Sequence, residues 1–413
     1  MKNIEPQIIA TYKAASNLRN ATDKQIKNTL LTLANLLQKN STILLKANAK
    51  DLSKQTIDNP NNDRLILTQQ RINNIASSIR NISKLPNPCN KLLEKRTLAN
   101  GLKLEKRSVP LGVVGAIFES RPNVTFDIAA LCIRSQNGCL IKGSIDADET
   151  NKVAIKIINQ ALKENEINPA CVTLLPADRE VVKQLFTATR YIDVIIPRGS
   201  ESLIQYVRKN SLVPVIETGA GVCHIYVEQE ADISKAVKIA VNAKVSRPSV
   251  CNAVDTILVD EAIATLFLEK LSKELSLHNV GIYADPKAYR LLKNYQHLYK
   301  ASKADFGREY LSLNCSIKIV KHIDEALAHI QEYSTKHSEA IISNNKKQCE
   351  RFLREVDAAA VYSNASTRFT DGEEFGLGAE IGISTQKLHA RGPFALEKLV
   401  TEKWIIKGNG QVR

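Results

Sequence analysis

Apolar and polar positions alternate with helical periodicity at the start of the chain. Thr22 and Gln25 have the spacing of a capping box, and apolar residues then recur every three or four positions. A second apolar stripe precedes them. The pattern predicts two amphipathic helices within residues 6–40, whose role is packing rather than chemistry.

Beyond residue 108 the pattern changes to short apolar runs separated by amphipathic stretches. Strands are predicted at 111–118, 139–142, 172–175, 192–196 and 213–216, and in a second series at 254–259, 280–284, 317–320, 339–343 and 358–362. Helices are predicted between them, at 125–136, 148–165, 178–187, 200–210, 260–275, 286–296, 322–333 and 345–355. This alternation is typical of parallel sheets with crossover helices, so we expect two α/β domains that meet near 217–250.

A polar hairpin is predicted between these two patterns. Asn100-Gly101 lies between two short runs within residues 94–107, and Asn-Gly favours a hairpin because both residues tolerate positive φ. Near the end of the chain, a strand at 403–406 follows a helix-like stretch at 393–402. We expect this closing strand to pair with the hairpin or with another subunit.

Composition and charge restrict the function classes. The hydrophobic fraction of 44% and charged fraction of 24% are those of a folded globular protein. No apolar run is long enough for a membrane helix, and the first residues lack a secretory signal, so we expect a cytoplasmic protein. The net charge of +14 is spread along the chain and aromatic residues are only 5%, which argues against nucleic-acid binding. The charge indicates either small anionic ligands or a general bias of a sequence rich in Lys and Asn.

One of the eight cysteines differs from the others in its sequence context. There is no CxxC pair, so we expect no metal site, and most of the thiols should be buried. Cys251 lies in a loop before a predicted strand, four residues after Arg247. A nearby guanidinium and outward-pointing backbone N–H groups favour the thiolate, so Cys251 is the candidate nucleophile, and the alternative is a buried structural thiol.

Four further segments carry candidate site residues, although a G-x-G-x-x-G fingerprint is absent. Glu217 follows a predicted strand, 34 residues before Cys251, and is either a site residue or a solvated loop residue. Asn123 opens a helix, either as its cap or as an amide donor to an oxyanion. Gly199-Ser200 opens another helix, in an arrangement suited to phosphate. The glycine-rich stretch 375–393 includes His389 and Arg391.

Three long segments resemble the aldehyde dehydrogenase superfamily: VPLGVVGAIFESRPNVT at 109–125, RPSVCNA at 247–253 and GLGAEIGISTQKLHARGP at 376–393. The resemblance extends over nearly the whole chain and is strongest to the branch that reduces glutamyl 5-phosphate. The spacing from Glu217 to Cys251 also matches that superfamily.

The resemblance implies a fold and a domain arrangement. We expect two doubly wound parallel-sheet α/β domains and a small oligomerisation arm. The expected parts are a cofactor-binding domain at 1–94 and 108–224, a catalytic domain at 225–380, a return segment at 381–402, and an arm made of 95–107 and 403–413. The arm implies a homo-oligomer, a dimer or larger.

The implied reaction is the NADPH-dependent reduction of L-glutamyl 5-phosphate to L-glutamate 5-semialdehyde, the second step of proline biosynthesis from glutamate. Cys251 would form a thioester, and Asn123 with the backbone N–H of Cys251 would bind the oxyanion. Glu217 would activate water, as in hydrolytic relatives, or position substrate. The residues expected to contact NADP(H) are Lys142, Gly199, Ser200 and Glu309. The expected anion-binding residues, which ion pairs within the protein would equally explain, are Arg121, Arg247, His389 and Arg391.

Two departures from the family pattern leave the choice between NADP and NAD open. The chain has Lys142-Gly143-Ser144 and Arg198-Gly199-Ser200 where the reductases usually carry an arginine followed by two glycines. The alternative activity is an NAD(P)-dependent hydrolytic aldehyde dehydrogenase acting on a small semialdehyde. A functional association with a glutamate 5-kinase, which would supply the unstable acyl phosphate, is also expected.

Overall fold

A computed structural model describes residues 3–56, 62–119 and 122–413. Its internal contacts divide the chain into two units. The first unit comprises Met1–Thr218, Gly376–Gly382 and Phe394–Arg413, and the second comprises Gly219–Phe375 and Ile383–Pro393. The boundary at Thr218 lies a few residues before the predicted boundary at 224.

The first unit is built on a parallel sheet with the strand order β5-β4-β3-β6. Its helices are α1 Glu5–Leu18, α2 Asp23–Lys39, α3 Ser41–Leu52, α4 Asn62–Leu65, α5 Gln69–Lys84, α6 Pro122–Arg134, α7 Asp148–Glu164, α8 Val181–Thr187 and α9 Glu201–Asn210. Its first strands are β1 Leu92–Thr97, β2 Lys103–Pro110, β3 Val113–Phe118, β4 Gly138–Lys142, β5 Val172–Leu174 and β6 Val194–Arg198.

Local sequence signals account for most of these elements. The capping box of α2 is present, since Gln25 N–H donates to Thr22 Oγ1 and Thr22 N–H donates to Gln25 Oε1. All six residues of β3 are buried, as expected for a central strand of a parallel sheet that is covered on both faces. The carboxyl ends of β3, β4 and β6 lead into Glu119, Lys142 and Gly199, which places these residues at one edge of the sheet.

The strand predicted at 213–216 is wrong. Only Val215 pairs, as an isolated parallel bridge with Ile195. Pro214 has no N–H to donate, which leaves this segment too few backbone donors for a continuous ladder.

The second unit is built on a seven-stranded parallel sheet in the order β10-β9-β11-β8-β7-β12-β13. Its strands are β7 Cys223–Val227, β8 Val254–Asp260, β9 Gly281–Ala284, β10 Leu298–Lys300, β11 Asn314–Val320, β12 Ser338–Ile342 and β13 Ala360–Ser363. Its helices are α10 Ile233–Val245, α11 Ala264–Ser276, α12 Pro286–Leu291, α13 Ile323–Tyr333 and α14 Lys346–Glu355. Every residue of β8, which lies at the centre of the sheet, is buried.

The last strands are β14 Glu380–Ser384, β15 Gly392–Ala395 and β16 Val400–Lys407. β14 and β15 form a two-stranded sheet. The predicted hairpin is confirmed as β1 and β2, and β16 pairs antiparallel with β2 from Val400 opposite Pro110 to Lys407 opposite Lys103.

The helix-like stretch predicted at 393–402 is therefore wrong. Its ends belong to β15 and β16, and only a short 3-10 turn, Leu396–Lys398, lies between them. The ladder with β2 gives this segment the backbone partners that a helix would otherwise supply.

No helix within the described ranges has the length and apolar character needed to cross a membrane.

Candidate functional site

The predicted site residues fall into two groups, one in each unit. The second unit contains Cys251, Arg247, Glu309, His389 and Arg391. The first contains Asn123, Lys142, Gly199, Ser200 and Glu217. Arg121 lies outside the described residues.

Cys251 is the cysteine that is accessible to solvent. It lies in a turn directly before β8 and is half-buried, whereas the other seven cysteines are free and buried. Burial raises the pKa of Cys89, Cys171 and Cys315 to about 12, which leaves these thiols protonated and unreactive at neutral pH. The prediction that most of the thiols are buried is confirmed.

The backbone around Cys251 is tightly packed. A Cβ atom on Gly221 would lie far inside van der Waals contact with the Cys251 carbonyl oxygen, so this approach requires glycine. The buried thiol of Cys223 donates to the same carbonyl oxygen at 3.2 Å. Gly221 N–H donates to Glu309 Oε1 at 2.8 Å. Glu309 therefore contacts the same glycine that packs against the Cys251 carbonyl oxygen.

A buried ion pair holds the segment that carries Glu309. Lys244 Nζ lies 3.5 Å from Asp255 Oδ1, and both side chains are almost fully buried. Asp255 Oδ1 also accepts the N–H of Tyr310 at 3.1 Å. Burial raises the pKa of Asp255 to about 6, although Lys244 opposes this shift. The pair connects α10, β8 and the residue next to Glu309.

The glycine-rich stretch places Arg391 in an ion pair. Arg391 Nη1 lies 2.7 Å from Asp357 Oδ1, and Lys387 and Lys336 also contact this carboxylate. Arg391 Nε and Nη2 are buried and have no hydrogen-bond partner among the described residues. His389 is exposed, in the left-handed conformation with φ 63°. The ion pair that the sequence allowed for Arg391 is present.

Sequence reasoning missed Arg368, which lies beside Cys251 in this unit. It belongs to the short 3-10 turn Thr367–Phe369, and its guanidinium donates to Asn252 Oδ1. An arginine in a polar loop carries no periodic signal, so only the fold shows that it lies next to the nucleophile.

Buried histidines lie behind this loop. His224 Nδ1 is 3.0 Å from Glu339 Oε2, and both side chains are fully buried. His337 Nδ1 is 2.8 Å from Ser338 Oγ, and its Nε2 has no partner in the described part of the chain. Within the same residues no group of three His, Cys, Asp or Glu side chains is arranged to hold a metal ion.

His337 predicts acid sensitivity of the fold. Burial lowers the pKa of His337 to about 4 from its usual 6.5, so below pH 6.5 the unfolded chain binds the proton that the folded protein refuses. The contribution of His337 to the free energy of unfolding is fully present above pH 6.5 and is lost as the pH falls towards 4. Between pH 7.5 and pH 5 we expect a loss of about 2 kcal/mol from this group. Urea unfolding midpoints at the two pH values measure it.

The matched variants are His337→Gln and His322→Gln. His322 is 62% exposed, so its replacement should leave the pH dependence unchanged. His337→Gln should reduce the loss between pH 7.5 and pH 5 by about 2 kcal/mol without abolishing it, because burial also lowers the pKa of His329. Parallel pH curves for the wild type and His337→Gln would contradict the prediction.

In the first unit, Lys142 fits an anionic ligand. It ends β4 and is only 8% exposed, and its ammonium has no hydrogen-bond partner among the described residues. Burial and the nearby Arg179 guanidinium lower the pKa of Lys142, whereas the nearby Asp178 carboxylate raises it. A buried ammonium near a second cation is suited to a phosphate, and it can also donate to a ribose hydroxyl.

The turn at Gly199-Ser200 already holds a carboxylate of the chain. Ser200 N–H and Oγ donate to the two oxygens of Glu119, at 2.7 and 2.8 Å. A Cβ on Gly199 would lie 2.6 Å from Glu119 Oε2. In this structure Glu119 therefore occupies the start of α9, and Gly199 and Ser200 could hold a pyrophosphate only if that carboxylate left.

Asn123 and Glu217 each have a partner within the first unit. The helix α6 begins at Pro122, so Asn123 lies in its first turn, and its Nδ2 donates to Asp127 Oδ2 at 3.1 Å. Glu217 Oε1 lies 3.4 Å from Arg208 Nε, and the Glu217 side chain is 18% exposed. The functional roles of both residues stay predictions.

Comparison with known proteins identifies the family. The sequence model of the aldehyde dehydrogenase family matches residues 2–289. The chain is 47% identical over 414 residues to a gamma-glutamyl phosphate reductase of Bacteroides fragilis, with 100% of both chains covered. It is 50% identical over 398 residues to that of Chlorobaculum parvum, covering 95% of this chain and 94% of the relative.

Solved structures of the same family are similar to this chain. The gamma-glutamyl phosphate reductase of Thermotoga maritima superimposes with a TM-score of 0.96 at 39% identity, with 100% of both chains covered. An acetylating aldehyde dehydrogenase of Geobacillus thermoglucosidasius, at 17% identity and a TM-score of 0.72 over 99% of this chain and 97% of that one, shares the fold.

The paired parallel-sheet units and the accessible cysteine are those of a nicotinamide-dependent oxidoreductase, and the chain belongs to the aldehyde dehydrogenase family. The two relatives described above, which match it over nearly their full length, are gamma-glutamyl phosphate reductases. The fold class and the family expected from the sequence are confirmed.

Proposed function

We propose that this protein reduces L-glutamyl 5-phosphate to L-glutamate 5-semialdehyde and phosphate with NADPH, through a thioester on Cys251. The observation that carries the proposal is the Cys251 loop, in which the one accessible thiol lies among packed backbone and arginine side chains. The names of the full-length relatives support the same substrate.

The chain's own residues account for the acyl-transfer step. The Cys251 thiolate attacks the acyl carbon, and the phosphate leaves with the electron pair of the broken C–O bond. We propose Asn123 Nδ2 and the Cys251 N–H as donors to the oxyanion, as the family resemblance implies. The Asn123 amide has two N–H groups, and its bond to Asp127 uses one of them.

The acyl phosphate carries its own leaving group, so acyl transfer requires no activated water. Water that reached the thioester would hydrolyse it and waste the substrate. Glu217 is ion-paired with Arg208. Its proposed role is then to position the substrate or proton-transfer groups rather than to activate water.

A bound nicotinamide cofactor supplies the hydride that reduces the thioester. We propose that Lys142 holds the adenosine ribose or its 2′-phosphate and that Glu309 holds the nicotinamide ribose. The preference for NADP(H) is supported by the buried Lys142 ammonium and the nearby Arg179 guanidinium. Gly199 and Ser200 would contact the cofactor only after releasing Glu119.

The remaining expected residues bind the substrate's charged ends. Arg391 is proposed for a carboxylate, because its Nε and Nη2 are buried without a partner among the described residues. His389 and Arg121 stay predictions for the same role.

We further propose that the arm mediates homo-oligomerisation with a second copy of the chain. The three-stranded sheet of β1, β2 and β16, with the turn between β1 and β2, exposes large apolar side chains: Leu92, Leu93, Leu98, Trp404 and Ile406. Large apolar side chains exposed on a small antiparallel sheet are suited to burial against a partner. The association with a glutamate 5-kinase stays a prediction.

The reverse reaction tests the proposed function, because the acyl phosphate is unstable. Pyrroline-5-carboxylate, the cyclised form of the semialdehyde, is mixed with NADP and inorganic phosphate, and the absorbance of the reduced cofactor is followed. We expect reduction that requires phosphate and is faster with NADP than with NAD. Reduction without phosphate would instead indicate a hydrolytic aldehyde dehydrogenase with Glu217 as its base.

A further inference from the structure

Arg368 is fixed beside the nucleophile by residues of the nucleophile's own loop. Its Nη1 donates to Asn252 Oδ1, and its Nε donates to Ser246 Oγ at 3.1 Å. Both acceptors are neutral, so these bonds orient the guanidinium without neutralising its charge.

Asn252 also connects the two segments through their backbones. Its Nδ2 donates to the carbonyl oxygens of Arg368 and Thr370, at 3.2 and 3.0 Å. Thr367 Oγ1 donates to the Asn252 carbonyl oxygen at 2.7 Å. Asn252 is only 4% exposed, so the residue next to Cys251 is a buried clamp on the turn that carries Arg368.

A second arginine faces the same place. Burial and the Arg247 guanidinium lower the pKa of Arg368, whereas Asp371, Cys251 and Glu374 act in the opposite direction. Arg247 is exposed and Arg368 is half-buried. Asp371 and Glu374 offset part of the repulsion between the two guanidiniums. A phosphate dianion bound by both guanidiniums would offset it further, and it suits a pair of forked donors.

We propose that Arg368, together with Arg247, binds the phosphate of the acyl phosphate while Cys251 attacks the adjoining carbon. This inference rests on the proposed function. The Cys251 Sγ–C bond forms and the bond between the carbon and the phosphate oxygen breaks. The electron pair goes to that oxygen, whose new charge the two guanidiniums stabilise. Cys251 enters as a thiolate, so no proton needs to be removed in this step.

The geometry favours the phosphate over the substrate's carboxylate as the ligand of Arg368. The leaving phosphate is bonded directly to the carbon that Cys251 attacks, whereas the α-carboxylate lies at the far end of the substrate's carbon chain. A guanidinium held by the residue next to Cys251 is therefore placed for the leaving group.

The first test uses the protein without substrates and follows alkylation of Cys251 by iodoacetate. We expect inorganic phosphate to slow alkylation of the wild type relative to chloride at matched ionic strength, and to have no such effect on Arg368→Met. Alkylation by neutral iodoacetamide, measured on the same proteins, corrects for any change that the substitution makes in the reactivity of the thiol itself. Equal phosphate protection in the wild type and Arg368→Met would overturn the proposal.

The second test measures the KM for phosphate in the reverse reaction. Loss of a charge-assisted hydrogen bond predicts a rise of roughly ten- to hundredfold in Arg368→Met, with partial recovery in Arg368→Lys and an unchanged KM for NADP. Arg354→Met is the control, because Arg354 lies on α14 in the same unit and is 72% exposed. An unchanged KM for phosphate with a raised KM for the semialdehyde would overturn the proposal in favour of carboxylate binding.

Arg247→Met keeps the proposal testable if Arg368→Met fails to fold, because Arg247 is exposed and lies outside the Asn252 clamp. It should also raise the KM for phosphate. A wild type without phosphate-dependent reduction would refute the proposed function, whereas a phosphate-dependent wild type with insensitive arginine variants would refute this inference alone.

Discussion

The Cys251→Ser variant is expected to lose NADP reduction in the phosphate-containing reverse assay by on the order of 10³-fold or more. A serine hydroxyl is not ionised near neutral pH and is a weaker nucleophile than a thiolate, so no covalent intermediate forms. Because Cys251 is half-buried and borders solvent, the isosteric change should leave the thermal unfolding temperature nearly unchanged. Stopped-flow or steady-state absorbance of the reduced cofactor measures the loss.

Cys349→Ser is the matched control. Cys349 is buried, and its Sγ donates to the Ser343 carbonyl oxygen at 3.6 Å, an acceptor that a serine hydroxyl can also use. We expect this variant to keep its activity and to take up one equivalent of iodoacetamide under native conditions, like the wild type, whereas Cys251→Ser takes up none. Retention of a tenth or more of the wild-type rate in Cys251→Ser would place the nucleophile elsewhere, since a true nucleophile loses roughly a thousandfold.

The Gly221→Ala variant is expected to lower kcat by about 10²-fold or more, without changing any reacting group. The added methyl group would collide with the Cys251 carbonyl oxygen, which is backbone and has no rotamer that relieves the contact. The collision would also disturb the Gly221 N–H bond to Glu309. Displacing the nucleophile's backbone should further cost about 1–3 kcal/mol of stability.

Gly219→Ala isolates this effect, because Gly219 lies two residues earlier on the same segment. A Cβ there would meet only Thr385 Oγ1, at an ordinary 3.4 Å. We expect its activity within about twofold of the wild type and its unfolding free energy within about 0.5 kcal/mol. The measurements are kcat in the reverse assay, the alkylation rate of Cys251 and thermal unfolding. Equal kinetics for the two alanine variants would show that the close approach at Gly221 is unimportant.

Local signals were sufficient for much of the fold. The capping box at Thr22 and Gln25 and the hairpin at Asn100-Gly101 depend on residues a few positions apart, and both are present. Continuous apolar runs such as that of β8 correctly predicted buried strands. The candidate nucleophile could also be selected from the sequence, because Cys251 has a distinctive loop context and a family motif around it.

Errors occurred where long-range pairing decides the structure. Residues 400–402, predicted as helix-like, begin strand β16 because β2 lies beside them, although β2 is far away in the sequence. The strand predicted at 403–406 lies within β16. The apolar run at 213–216 forms only the bridge of Val215 with Ile195. Strand β10, with only Leu298–Lys300, was too short to produce a pattern.

The sequence by itself determined the α/β alternation, the family, and Cys251 as the thiol to test, because these depend on residues close together in the chain. Only the tertiary structure brought Arg368 to Asn252 across 116 residues and formed the hydrogen bond from Ser200 N–H to the Glu119 carboxylate. Neither contact leaves a local pattern, since each side chain is polar and lies in a loop. Side-chain contacts of this kind depend on how distant strand ends meet, which hydrophobic periodicity does not specify.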